Sequence, residues 1–443
     1  MSMLTIVGLA VIISIVALLM WGKISPIVGM VIIPIIGALA VGSSMEEVSE
    51  YFASGIDSVM GVTVMFIFAI LFFGVMQDTG LLNPLVSGMI RLTKGNVVAV
   101  AVGTAIVGAF AQLDGAGATT FLFTIPALLP LYKKLHMSPY LLMLLICLSA
   151  GIMNMVPWGG PTGRVASVFS MDPSDVWQPL IPIQGIGFAL LILLAVFLGV
   201  REKRRIKKGI ESGDMSEMPK ENPDAEAAAA VDHSDELLRP KLMWVNLLLF
   251  LGVILMLVFS EWDAGLIFMV ALGVAFLINY PDVSTQMGRL KHHAPNALSM
   301  AAVILAAGVF LGMIRETGML EAIALDSIAV IPAVAQQYIH IGVGLIGVPL
   351  DILTSTDAYY FALLPIVDGI ASANGIESMS TAYAMLIGNI IGTFVSPFSP
   401  ALWLGIGLAG VEMGKHIRYS FFWMWGFSIL LVIAGILIGI IQF

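Results

Sequence analysis

Apolar residues fill run after run of about 20 positions, the length a helix needs to cross a bilayer, with short polar joints between them. In the first half the pattern predicts spans over residues 3–21, 25–41 and 58–77, with a polar connection at 44–57 carrying Glu46, Glu47 and Glu50. Residues 78–96 are punctuated by Gly and Pro, carry Arg91 and Lys94, and are expected to lie along the interface. Two apolar helices of about 16 residues, each about 24 Å long, follow over 97–132. A long span covers 139–171 and another covers 179–200. Residues 201–239 are hydrophilic, open on R-E-K-R-R-I-K-K, and are expected to be mostly disordered. The second half repeats the layout: spans at 242–260, 264–280 and 298–314, an interface stretch at 315–332, a broken apolar pair at 339–367, a long span at 381–411 and a last one at 419–443. The first run lacks a basic n-region and a small-residue cleavage site, so it is read as a helix that stays.

The duplication is visible in residues. F-G-V-M-Q-D-T-G-L-L from Phe73 reads against L-G-M-I-R-E-T-G-M-L from Leu311; Leu113-Asp114 matches Leu350-Asp351, and Pro157 matches Pro397. All three offsets lie between 237 and 240 residues. If each broken pair is a re-entrant hairpin, each half crosses five times and the second half is inverted. That topology puts 18 of the 20 Lys and Arg on the cytoplasmic side, all but Arg164 and Arg315. The expected architecture is therefore an all-α polytopic membrane protein of two inverted repeats, each of five spans plus one re-entrant hairpin. Residues 1–200 form the first repeat, with a cytoplasmic-entry hairpin at 97–132 and a broken helix at 139–171. Residues 201–240 form a cytoplasmic linker. Residues 241–443 form the second repeat, with an outer-entry hairpin at 339–367 and a broken helix at 381–411.

Composition agrees: 59% of residues are hydrophobic and 11% charged, against about 25% charged in soluble domains. The net charge of −9 reflects acidic loops and gives no nucleic-acid footprint. A single cysteine, Cys147, excludes an intrachain disulfide framework.

The chemistry lies where apolar helices break. The breaks are L-D-G-A-G-A-T-T from Leu113, N-M-V-P-W-G-G-P-T-G-R from Asn154, L-D-I-L-T-S-T-D from Leu350, and G-T-F-V-S-P-F-S-P from Gly392. Backbone freed at membrane depth survives only where it is packed in protein or lines a wet cavity. Paired breaks of this kind mark a transporter's binding site. Four charged groups fall inside apolar segments: Asp114, Arg164, Asp351 and Asp357. Such groups are costly there and functional by default. Helix capping is the plainer alternative for Asp114 and Asp351. Hydroxyls cluster at the breaks as Thr119 and Thr120, Thr162, Thr354, Ser355 and Thr356, and Thr393, Ser396 and Ser399. Hydroxyls and free N–H groups at helix N-termini suit an oxyanion, and acids with free carbonyls suit cations. The candidate substrate site comprises Gly115, Gly117, Thr119, Thr120, Asn154, Pro157, Gly159, Gly160, Thr162, Arg164, Thr354, Ser355, Thr356, Ser396, Pro397 and Ser399. Arg164 is expected to meet a substrate carboxylate. Asp114, Asp351 and Asp357 are the coupling candidates, and Asp114 and Asp357 could instead contact a metal arriving with the substrate. The six histidines lack metal-ligand spacing and are given no role. No G-x-x-x-x-G-K-[ST] occurs, which argues against primary transport. An intramembrane aspartyl protease is the alternative of a different class, but G-x-G-D and Y-D are both absent.

At these breaks the chain resembles the citrate–metal:proton symporter family of the ion transporter superfamily. The resemblance is carried by L-D-G-A-G-A-T-T-F, G-I-M-N-M-V-P-W-G-G-P-T-G-R, P-L-D-I-L-T-S-T-D-A-Y-Y-F-A-L-L-P and S-P-F-S-P-A-L-W-L-G-I-G-L-A-G-V. It implies uptake of citrate or a related carboxylate, complexed with Mg2+, Ca2+ or a transition metal and coupled to protons. A sodium-coupled di- or tricarboxylate symporter is the alternative. It also implies a fold like the divalent anion/sodium symporters, a homodimer working as an elevator in the bacterial inner membrane, with no permanently bound cofactor. The family's first tip reads D-G-D-G; Ala116 stands at the second acid here, which puts the preferred metal in question.

Overall fold

A capping box starts the third helix well before the hydropathy does. The Ser44 hydroxyl accepts from the Glu47 N–H at 3.2 Å, and the Glu47 carboxylate accepts from the Ser44 N–H at 2.7 Å. Residues 44–57, expected as a loop, are therefore the opening turns of one 34-residue helix. The computed structural model describes residues 2–20, 23–81, 83–115, 117–212, 236–260, 262–330, 332–353, 356–397 and 399–442. Among them every regular element is helical.

The first half comprises α1 (Met3–Met20), α2 (Pro26–Ala40), α3 (Met45–Asp78), α4 (Asn83–Thr93), α5 (Val97–Ala111), α6 (Gly117–Lys134), α7 (Pro139–Met153), α8 (Gly160–Phe169), α9 (Pro173–Trp177) and α10 (Ile181–Glu211). The second comprises α11 (Met243–Phe259), α12 (Ala264–Asn279), α13 (Val283–Glu316), α14 (Met319–Val330), α15 (Ala333–Gln337), α16 (Ile339–Leu345), α17 (Gly347–Leu353), a π-helix (Ala358–Leu363), α18 (Leu364–Ala373), α19 (Ser378–Asn389), α20 (Pro400–Ala409) and α21 (Met413–Leu437). Among the described residues five helical stretches, including α3, α13 and α21, are long and apolar enough to cross a membrane. The basic run at 201–211, expected to be disordered, continues α10. Glu202 anchors it there: it is buried, accepts from the Ser138 N–H at 2.6 Å and pairs with Arg205 at 2.8 Å. The rest of that expectation, 213–235, lies outside the described residues.

Like α3, α13 has 34 residues, about 51 Å, and a side-chain cap. Asp282 accepts from the Thr285 N–H at 2.9 Å, and its hydrogen bonds from Ser284 and Thr285 hold its carboxyl below the usual range. The two long helices pack together. Near Gly55 their backbones touch: a Cβ on Gly55 would stand 2.1 Å from the Gly308 carbonyl oxygen, and one on Gly312 would stand 2.2 Å from that of Tyr51. Near the other end, Gly74 faces the His293 ring, 2.5 Å from where a Cβ would be.

Of the other helices, α7 and α19 lie deepest. Every side chain from Leu141 to Met153 is buried, as is every one from Ser380 to Asn389. A helix apolar on all sides belongs in the core. Each deep helix leads into a break: α7 into 154–159, and α19 into 390–399.

Candidate functional site

The first hairpin turns at a 3-10 segment, Gln112–Asp114, and at Gly115, whose φ of 71° is left-handed. A Cβ there would also meet the Trp158 carbonyl oxygen at 2.7 Å. Both facts require glycine. The Trp158 indole N–H donates to the Leu113 carbonyl at 2.7 Å, and the ring is fully buried, stacked on Phe73 at 4.7 Å. The hairpin tip is thus pressed onto the α7–α8 break. Gln112, absent from the sequence candidates, sits between them. Its amide accepts from the Thr120 hydroxyl at 2.6 Å and donates to Asn154 Oδ1 at 2.8 Å. The signal was there, a polar residue adjoining the first break, but no charge drew attention to it.

The break at 154–159 satisfies much of its own backbone. The Thr162 hydroxyl donates to the Met155 carbonyl at 2.9 Å and lies 3.2 Å from that of Asn154. Pro157 is buried. Gly159 brings the chain within 2.1 Å of the Asn154 carbonyl oxygen, measured from a notional Cβ, and Gly160 leaves room for the Arg164 guanidinium. Gly117 opens α6 against Phe394 and Ala401, so the first hairpin also touches the second-half break. Thr119 points elsewhere, into a cavity lined by Asp78 and Arg289.

The second cluster surrounds Asp351, which is fully buried. One carboxylate oxygen, Oδ2, lies 3.3 Å from the Thr356 hydroxyl; among the described residues the other, Oδ1, has no hydrogen-bond partner, and neither has Asn389 Oδ1. Thr356 and Thr393 share a hydrogen bond of 3.0 Å, and the Ser396 hydroxyl donates to the Asp351 carbonyl. Gly392 is where Asp351 packs: a Cβ there would meet the Asp351 Cβ at 2.9 Å. The Pro397 carbonyl accepts from Trp403 at 2.9 Å, and Ser399, buried, precedes α20 as its N-cap residue. Thr354, Ser355 and the Asp114 side chain lie outside the described residues.

Arg164 joins the two clusters. Its Nε and Nη2 donate to Asp357 Oδ1 at 2.8 and 2.6 Å, and each side chain is 13% exposed. The carboxylate partner expected from a substrate is here supplied by the second hairpin itself. The other basic residue outside the positive-inside pattern, Arg315, donates to the Val168 carbonyl. Both exceptions therefore hold α8. Among the described residues no three of His, Cys, Asp and Glu converge as a metal site.

The site thus combines a largely buried ion pair between two broken elements with a buried carboxylate whose Oδ1 has no hydrogen-bond partner among the described residues. The family model for citrate transporters matches residues 2–388. The chain belongs to the citrate transporter family. It is a transporter and not an enzyme. It is 36% identical over 441 residues to the citrate transporter of Bacillus subtilis (strain 168), covering 100% of both chains. It is 36% identical over 440 residues to that organism's Mg(2+)/citrate complex secondary transporter, covering 99% of each. Its fold is similar to that in the crystal structure of the Alcanivorax borkumensis YdaH transporter, with TM-score 0.59 and 16% identity over 89% of this chain and 90% of that one.

Proposed function

We propose that this chain takes up citrate as its complex with a divalent metal ion, Mg2+ first among them, coupled to protons. The observation that carries the reading is the Arg164–Asp357 pair. Fully ionised citrate with one divalent metal keeps one negative charge. A proton on Asp357 releases Arg164, whose fork then meets a substrate carboxylate. Substrate and proton thus enter together, because either alone leaves a charge unpaired at low exposure. Asn154, Thr162 and the freed backbone at the breaks bind the remaining oxygens. The metal arrives as part of the substrate, which agrees with the name of the Mg(2+)/citrate relative.

The same reading takes residues 1–200 and 241–443 as inverted repeats in the bacterial inner membrane, with the linker 201–240 cytoplasmic. In a homodimer, α3 and α13 belong to the fixed part, and the hairpins and broken helices move as an elevator. A second reading, sodium coupling, draws support from Asp351, whose buried Oδ1 has no hydrogen-bond partner among the described residues and suits a small cation as well as a proton.

Proteoliposomes test both. Labelled citrate should accumulate under an inward proton gradient with Mg2+ present, and chelation of the metal should abolish the accumulation. Accumulation driven by sodium alone would replace the first reading with the second, and uptake undiminished by the chelator would remove the metal from the substrate.

A further inference from the structure

Arg289, His292, His293 and Asn296 recur at i, i+3, i+4 and i+7 and so form one polar stripe along α13. The stripe walls a cavity of about 540 Å³, within the size range of small-molecule sites. Opposite stands the first turn of α6, with Thr119 one turn beyond the tip of the first hairpin, and Leu237, at the end of the linker, lies at its rim. The cavity therefore runs from the linker face to the hairpin.

The charges in it are unevenly used. Asp78, at the end of α3, holds His293 at 2.8 Å through Oδ2. Arg289 forms a looser ion pair with the same oxygen at 3.6 Å, and among the described residues its guanidinium donates no hydrogen bond, so its N–H groups keep their donor capacity. His292 is exposed and meets His293 edge to face, at 4.9 Å between ring centres. An arginine fork and an imidazole thus line a partly open cavity whose one acid among the described residues is hydrogen-bonded to His293 and shared with Arg289. That combination suits a carboxylate anion and not a metal ion.

We propose that this cavity is a second carboxylate site, which holds a di- or tricarboxylate through Arg289 and His292 on the linker side of the midplane site. The inference rests on the reading of citrate as the transported solute. It adds a station at which the anion is held after leaving the broken helices, so citrate accumulating on the linker side would occupy it.

Acylation of His292 by diethylpyrocarbonate, read by mass spectrometry on the purified full-length protein, tests this without transport. Sodium citrate should slow the modification of His292 at least fivefold, with the rate at His136 as internal reference. Protection should vanish in Arg289→Gln, return in Arg289→Lys, and persist in Arg164→Gln. The uncharged triethyl ester of citrate should give none in the wild type, a comparison that needs no variant to fold. Equal rates with and without citrate, equal protection by the ester, protection surviving Arg289→Gln, or protection lost in Arg164→Gln would each overturn the proposal. Protection at His292 in a protein that fails to accumulate citrate would instead overturn the transport reading and leave the cavity site standing.

Discussion

Arg164 and Asp357 stand 193 residues apart in the chain and 2.6 Å apart in the fold. Neutralising one member strands the other at 13% exposure. Removing one partner of a buried pair costs about 3–5 kcal/mol. Arg164→Gln and Asp357→Asn should each lower the melting temperature of the purified protein by several degrees. The double variant should recover part of that loss, because no charge is left unpaired. Citrate uptake should fail in all three. Equal melting temperatures in the wild type and both single variants would show that the pair is not structural.

Retaining the charge while changing its shape separates binding from folding. Arg164→Lys should leave melting close to the wild type but raise the apparent Km for citrate roughly 30-fold, which is the lower end of what a lost charge-assisted contact to a buried anion costs. A Lys variant with unchanged Km would mean that Arg164 serves only to hold α8.

Coupling is read by comparing accumulation with exchange. Asp351→Asn and Asp357→Asn remove titratable groups at near-constant volume. If either carries the proton, its variant should lose gradient-driven accumulation. Asp351→Asn should also retain citrate–citrate exchange, because Asp351 does not touch Arg164. Undiminished accumulation in both would move the proton to another group.

Gln112 is a bridge with both ends buried. Gln112→Leu leaves the Thr120 hydroxyl and the Asn154 amide without their partner, at about 1–3 kcal/mol for unsatisfied buried groups. We expect a destabilised first hairpin and weaker citrate binding, measurable by calorimetry. Binding at wild-type affinity would place Gln112 outside the site.

Glycines at the α3–α13 contact are predicted to be irreplaceable. Gly55→Leu must displace a backbone carbonyl, not a flexible side chain, and should exceed the usual 1–3 kcal/mol of overpacking and prevent accumulation of folded protein. Gly61 meets nothing within 4 Å, so Gly61→Ala in the same helix should be neutral or gain about 1 kcal/mol. Size-exclusion profiles of the two variants decide the matter.

Hydropathy located the spans because lipid contact demands apolar runs, and it located the breaks because Gly, Pro and charges interrupt them. It was silent about helix ended or begun outside the bilayer. Ser44 and Glu47 carry a readable capping box, yet a search for apolar runs treats both as loop, and so α3 appeared to start 13 residues late. The charged residues inside apolar segments, Arg164, Asp351 and Asp357, were visible individually. That Arg164 meets Asp357 was not, since the pairing depends on how two distant breaks pack. His293 and Arg289 escaped for a different reason. They lie on the polar opening turns of α13, where a charge looks solvated until Asp78 is seen to come from the end of another helix. The π-helix over Ala358–Leu363 left no sequence mark.

The two ends of the α3–α13 crossing are built from different materials. Near Gly55 peptide meets peptide, with no side chain that can change rotamer. About 28 Å away along α3, near Gly74, the spacing is set by one imidazole and the carboxylate that holds it. Widening the first end gives up close backbone packing along both helices; widening the second requires only that the His293–Asp78 hydrogen bond break. The pair is thus a shears with a fixed rivet and a sprung handle, and any splaying of the two long helices must open at the handle, on the face that carries the linker.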